Sequence, residues 1–218
     1  MHQSMKPSLL ISSFHLVFSL LVCSLAFARA ESGESLFDGK ILAGWKTVKE
    51  ENAKFWSVVD GVIVGSNGDQ KVPTNTYLVY EKEYGDFEFR CKFRISGDHK
   101  TGLINSGIQY RSVIEKGKIA GYQADIGKGY WGDIYDEHRR GKLVQGNTAV
   151  LLQTLVEDGW NDYLIRCKGN HHELFINGIK TADYTEEKDF PSKGFLAIQL
   201  HSGGVAKVEF KDLTVKEL

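Results

Sequence analysis

Along most of this chain, apolar and polar residues alternate with a period of two. The clearest run is Phe87, Phe89, Cys91, Phe93 and Ile95, with Glu88, Arg90, Lys92 and Arg94 between them. That is the pattern of a strand with one face in a core and the other in water. Similar short runs cover 56–59, 62–64, 77–81, 103–111, 121–126, 150–153, 162–168, 173–176, 179–184, 195–201 and 207–217. Asp60-Gly61 and Asn177-Gly178 separate adjoining runs, and both pairs tolerate the positive φ angles of a type I′ turn, so each predicts a tight hairpin. The one helical candidate is 185–190. This pattern predicts an all-β chain of two antiparallel sheets packed face to face. No repeat of about 20–50 residues is visible, which disfavours propellers and solenoids. The cysteine and tryptophan spacing does not suit an immunoglobulin domain.

Residues 1–30 are set apart. Lys6 precedes an apolar stretch over 16–28, and Ala28-Arg29-Ala30 places small residues at both positions that a signal peptidase reads, which predicts a signal peptide cleaved after Ala30. The stretch is shorter than the ~20 residues of a membrane span. Val22 before Cys23 does not fit a lipoprotein signal. Residues 31–218 are expected to form a single exported domain with no membrane attachment after cleavage. The composition, 42% hydrophobic and 25% charged, is that of a folded globular protein. With 27 basic against 28 acidic residues and no long run of like charge, the chain has no electrostatic footprint for nucleic acid. Cys91 and Cys167 either pair in an oxidising compartment or stay as separate buried thiols.

Three runs carry polar residues of an unusual kind. Asn105, Gly107, Gln109 and Arg111 oppose Ile108 and Tyr110; Gln123 and Asp125 oppose Tyr122, Ala124 and Ile126; Phe195, Ala197, Gln199 and His201 oppose Leu196, Ile198 and Leu200. Amides, an arginine, an aspartate and a histidine among small residues suit a hydroxyl-rich ligand such as a sugar. Residues 127–141 read as a loop with Tyr130, Trp131 and Tyr135 beside Asp136, Glu137, His138, Arg139 and Arg140. They offer either a sugar platform or a Trp131 folded back on the core. His171 and His172 point to opposite faces of a strand and cannot share a metal. No metal site is predicted, and no motif for cofactor chemistry is present.

The chain resembles the 3-keto-disaccharide hydrolase domain family. The resemblance rests on SLFDGKILAGW at 35–45, FWSVVDGVIVG at 55–65, NSGIQYR at 105–111, GYQADIG at 121–127, WNDYLIRCKGNHHELFINGIKTADY at 160–184 and FLAIQLHSGGVAKVEFKDLTVKEL at 195–218. It implies a jelly-roll sandwich of the concanavalin-like lectin and glucanase type. It also implies an exported, periplasmic or secreted bacterial hydrolase that cleaves 3-keto-glycosides, with a sugar 3-oxidase upstream in the same pathway. Where family members often have Glu then Gln after the Gly-Tyr at 121–122, this chain has Gln123 and Asp125, which moves the carboxylate along the same face.

A ketone at C3 acidifies the proton at C2, so a base makes an enolate that expels the C1 substituent, and water then adds. On this scheme His201 and Asp125 are the proton-transfer pair and Glu137 is the acid for the leaving group. Arg111, Gln109 and Gln123 face the ketone, and Trp131 with Tyr130 forms the platform. Asn105, Tyr135, Arg139 and Gln199 complete the expected binding set. Direct hydrolysis by Asp125 and Glu137 is the second route. A lectin-like module without turnover is the alternative from another class.

Overall fold

The computed structural model describes residues 33–218, so the expected signal peptide and its cleavage point lie outside the described residues. Fifteen strands follow in chain order: β1 Glu34–Ser35, β2 Trp45–Thr47, β3 Trp56–Val59, β4 Val62–Ser66, β5 Thr76–Tyr84, β6 Phe87–Asp98, β7 Asn105–Glu115, β8 Lys118–Gly127, β9 Ile134–Glu137, β10 Gly141–Val144, β11 Asn161–Lys168, β12 His171–Ile176, β13 Ile179–Thr185, β14 Gly194–Leu200 and β15 Val205–Glu217. One sheet runs β13-β12-β11-β6-β15-β4-β3, with β1 also on β15; the second runs β10-β9-β8-β7-β14-β5-β2. Every pairing is antiparallel. Phe87, Phe89 and Phe93 of the first sheet share one core with Ile108, Tyr110, Tyr122, Leu196 and Ile198 of the second. Each such side chain contributes about 1.5–3 kcal/mol of apolar burial.

Both predicted hairpins form, with φ of 49° and 78° at Asp60 and Gly61 and of 50° and 77° at Asn177 and Gly178. Three other expectations are corrected. Residues 150–153 are not a strand: Leu151–Gln153 form a 3₁₀ turn that buries Leu151 and exposes Leu152. Residues after Thr185 are not helical; Glu186 is instead anchored through its backbone to Asn170 and through its carboxylate to Arg140. Residues 127–141 are not wholly a loop, because Ile134–Glu137 pairs with β8 and extends the second sheet. Among the described residues Cys91 and Cys167 are free thiols: Cys91 lies opposite Tyr163 and Cys167 opposite Phe87. That register separates the thiols by about 13 Å along the strands, beyond the Cα reach of a disulfide at about 7 Å.

The second sheet is strongly curled. Tyr77 on β5 and Glu137 on β9 are separated by β14, β7 and β8. In a flat sheet they would stand about 19 Å apart. Yet the Tyr77 hydroxyl donates to Glu137 Oε1 at 2.8 Å. The outer face is therefore the inside of a trough, which is why Gln109, Gln123, Asp125 and Gln199 are buried although they point away from the core.

Candidate active site

The trough holds a cavity of about 240 Å³ lined by Leu103, Asn105, Gln123, Asp125, Tyr130, Tyr135, Glu137 and His201. Its size suits a single sugar ring, being below the ~300–1,000 Å³ of drug-sized sites. Strand alternation supplies the lining: odd-numbered positions of β7, β8 and β9 face the trough while Ile108, Ala124 and Ile134 fill the core.

Asp125 is the most perturbed of these groups. It is 3% exposed and sits at the end of a polarised chain. Ser112 Oγ donates to Gln109 Oε1 at 3.0 Å, Gln109 Nε2 to Gln123 Oε1 at 2.5 Å, and Gln123 Nε2 to Asp125 Oδ1 at 2.5 Å. A side chain at Gly107 would bring its Cβ to 2.5 Å from Gln123 Cγ, so glycine there lets the amide lie across the neighbouring strand. Burial pushes the Asp125 carboxyl up to about 8, opposed by the Gln123 hydrogen bond and reinforced by the charges of Asp133 and Glu137. At neutral pH Asp125 is mostly a carboxylic acid. Because Oδ1 accepts from Gln123, the acidic proton belongs on Oδ2.

His201 Nδ1 lies 2.7 Å from the Ser202 carbonyl oxygen. A carbonyl only accepts, so Nδ1 carries a proton, and in the neutral ring the lone pair is on Nε2. Asn75 holds this turn by accepting the Ser202 N–H at 2.9 Å. Glu137 is set differently. Its Oε1 takes the Tyr77 hydroxyl, which in turn accepts from Gln199 Nε2 at 3.1 Å. Burial first, and the charge of Glu137 second, push the Tyr77 hydroxyl far above its usual range, so it stays a donor.

The sequence-predicted set thus divides. Asn105, Gln123, Asp125, Tyr130, Tyr135, Glu137 and His201 meet in one cavity. Gln109 and Gln199 lie behind it as fully buried partners. Three residues go elsewhere. Arg111 has φ of 45° at a register shift between β7 and β8, so the alternation that placed it beside Gln109 breaks there. Its guanidinium instead donates to the carbonyls of Gly85 and Gly169 and to Asp86, tying the β5–β6 turn to the β11–β12 turn. Trp131 packs on Phe93 with ring centroids 6.3 Å apart and does not line the cavity. Arg139 pairs with the buried Asp136 at 2.6 Å, on the core side of β9. Tyr77 and Leu103 were missed. The run Thr76-Tyr-Leu-Val-Tyr80 is apolar on both faces, so nothing in it marks Tyr77 as different from the core.

His172 is a core histidine enclosed by Tyr110, Tyr122 and Tyr184, and burial pushes its imidazole down to about 3. Among the described residues, one group has ligand atoms at metal-like spacing: His171, Glu173 and Asp183, within 4.8 Å of one another. Lys180 Nζ already bridges Glu173 at 2.6 Å and Asp183 at 2.7 Å, so a cation occupies that position.

The two packed antiparallel sheets form a jelly-roll sandwich of the concanavalin-like type, a fold shared with solved structures. It is similar to a protein of Parabacteroides distasonis ATCC 8503 provisionally assigned as a glycosyl hydrolase, at 24% identity, TM-score 0.64, 87% of this chain and 95% of that one. It is similar to the carbohydrate-binding module CBM66 of Bacillus subtilis, at 15% identity, TM-score 0.60, 80% of this chain and 96% of that one. A third is the exoplasmic/lumenal domain of VIP36 solved with calcium and Man3GlcNAc, at 10% identity, TM-score 0.57, 82% of this chain and 87% of that one. The chain belongs to the 3-keto-alpha-glucoside-1,2-lyase-like domain family, whose model matches residues 32–216. A search of curated proteins found no match.

Proposed function

We propose that this protein cleaves 3-keto-glycosides by elimination and rehydration in the trough cavity. The observation that carries the reading is one cavity of about 240 Å³ holding a neutral buried acid, Asp125, and an imidazole whose Nε2 is free, His201. His201 Nε2 removes the C2 proton of the keto sugar, and the negative charge passes to the C3 oxygen as an enolate. Asn105 and Gln123 are the amide groups at hand to meet it. The C1–O bond then breaks, and the leaving oxygen takes the proton of Asp125, a role the sequence reading assigned to Glu137. Water next adds across C1 and C2: Asp125 as carboxylate takes its proton, its oxygen bonds to C1, and His201 returns a proton to C2. Both groups end as they began, and the net change is one glycoside plus one water to a 3-keto sugar and a free alcohol. Glu137, held by Tyr77, orients the ring through a hydroxyl. The substrate is made by a sugar 3-oxidase acting upstream, outside the cytoplasm once residues 1–30 are removed.

The test is incubation of residues 31–218 with 3-keto-glycosides and their unoxidised parents in D₂O. Release from the keto substrates alone, with deuterium at C2 of the product, is expected. Equal release from the parents without deuterium overturns the elimination in favour of two-carboxylate hydrolysis. Saturable sugar binding with no release from any substrate makes the protein a binding module.

A further inference from the structure

A larger cavity of about 410 Å³ lies on the other side of the 127–133 turn from the candidate active site. The turn is built by hydrogen bonds from Tyr130 N to Gly127 O and from Asp133 N to Tyr130 O. It sends consecutive residues to different cavities: Tyr130 lines the smaller and Trp131 the larger. The apolar part of its lining is Ile95, Ile104 and Trp131, with Leu152 and Val156 from the segment before β11. Leu152 is 60% exposed, a large apolar side chain left without cover.

The polar groups of the lining fall into two sets. Asn161 and Asp133 are committed to the scaffold: Asn161 bonds the backbone of Val156 and Gly159, and Asp133 holds Gly146 N and Lys142. His99, Gln145, Thr148 and Asp158 also line the cavity and bring donors and acceptors to it. An aromatic side chain together with these polar groups matches a pyranose, whose C–H face lies on an indole while its hydroxyls project sideways. Lys128 among the lining residues offsets Glu157 and Asp158 in part, so the cavity is not lined by charges of one sign. The volume is in the usual range for a small-molecule site and leaves room for a longer glycan than the 240 Å³ cavity does.

We propose that this cavity is a second, non-catalytic site for a neutral oligosaccharide, with Trp131 as its platform. The proposal does not depend on the reaction assigned to the trough. It is tested by saturation-transfer NMR on residues 31–218 with unoxidised cellotriose, maltotriose and laminaritriose, and with phenol as the purely aromatic comparison. At least one trisaccharide is expected to receive saturation from the wild type and from Asp125→Asn, and to bind about tenfold more weakly to Trp131→Ala, the value of one aromatic platform. Since Trp131 also packs on Phe93, Leu152→Asp serves as a variant at an exposed position and is expected to weaken binding without altering the melting temperature. Binding that both cavity variants preserve overturns the proposal whatever Asp125→Asn does, because the sugar then sits elsewhere. So does binding of phenol with none of the trisaccharides, or no binding at all.

Discussion

Replacing Asp125 by Asn should stabilise the fold while abolishing turnover, and the gain should depend on pH in a defined way. In the unfolded chain an aspartate titrates at about 3.9, whereas in the fold burial holds Asp125 up to about 8. Below about pH 4 both states are protonated and the buried carboxyl costs nothing. Between those values the unfolded carboxyl has lost its proton and the folded one has kept it, so stability falls by up to about 1.4 kcal/mol per pH unit. Above the folded value the loss is complete, on the order of 5 kcal/mol. Asn keeps an acceptor for Gln123 and removes the titration. At pH 7 the variant should therefore gain up to about 4 kcal/mol, or roughly 8–16 °C in a chain of this length. Urea denaturation of both proteins at about pH 4, 5.5, 7 and 8.5 measures the difference. Curves that coincide near pH 4 and diverge steadily upward are expected. A constant offset across the series, or a variant less stable at pH 7, would refute a buried neutral acid at this position.

His201→Ala should lower kcat by roughly 10²–10⁴-fold without moving the melting temperature, and added imidazole should restore part of the rate; an unchanged kcat removes His201 from the scheme. Tyr77→Phe should cut kcat by about tenfold at unchanged KM, because Glu137 loses its one hydroxyl donor; steady-state kinetics decides. Arg111→Ala should cost roughly 2–4 kcal/mol in urea denaturation with KM unaltered, because the loss falls on the Gly85, Gly169 and Asp86 contacts rather than on the cavity. A raised KM with intact stability would instead return Arg111 to the substrate.

The sheets could be read from the sequence where period two is unbroken. Phe87 to Ile95 needed only alternation, and the two glycine turns needed only the φ angles they permit. Alternation puts Asp125, Gln123 and His201 on the outer face because their neighbours in the strand are plainly core, and all three border one cavity. Arg111 was misplaced because a bulge leaves no trace in the pattern, and one residue with positive φ is enough to redirect everything after it. For Trp131 the sequence leaves sugar platform and core cap open, since exposed and core-capping aromatics look alike in a glycine-rich segment; the ring packs on Phe93 and borders the larger cavity. Tyr77 was invisible for a further reason: the curl that carries it to Glu137 spans five strands of the sheet, and no short stretch of sequence encodes it.

The pairing of the first strand with the last has its own consequence. Glu34 lies opposite Val215 and Ser35 opposite Thr214, so the two ends of the domain leave side by side, about 5 Å apart. They leave from the sheet that does not form the trough. The domain therefore has the geometry of a cassette that can be spliced into a surface turn of another protein without parting its own strands or covering its cavity. The same geometry makes it mechanically soft from its ends: a pull on both termini peels β1 from β15 one hydrogen bond at a time, instead of loading the whole ladder in shear.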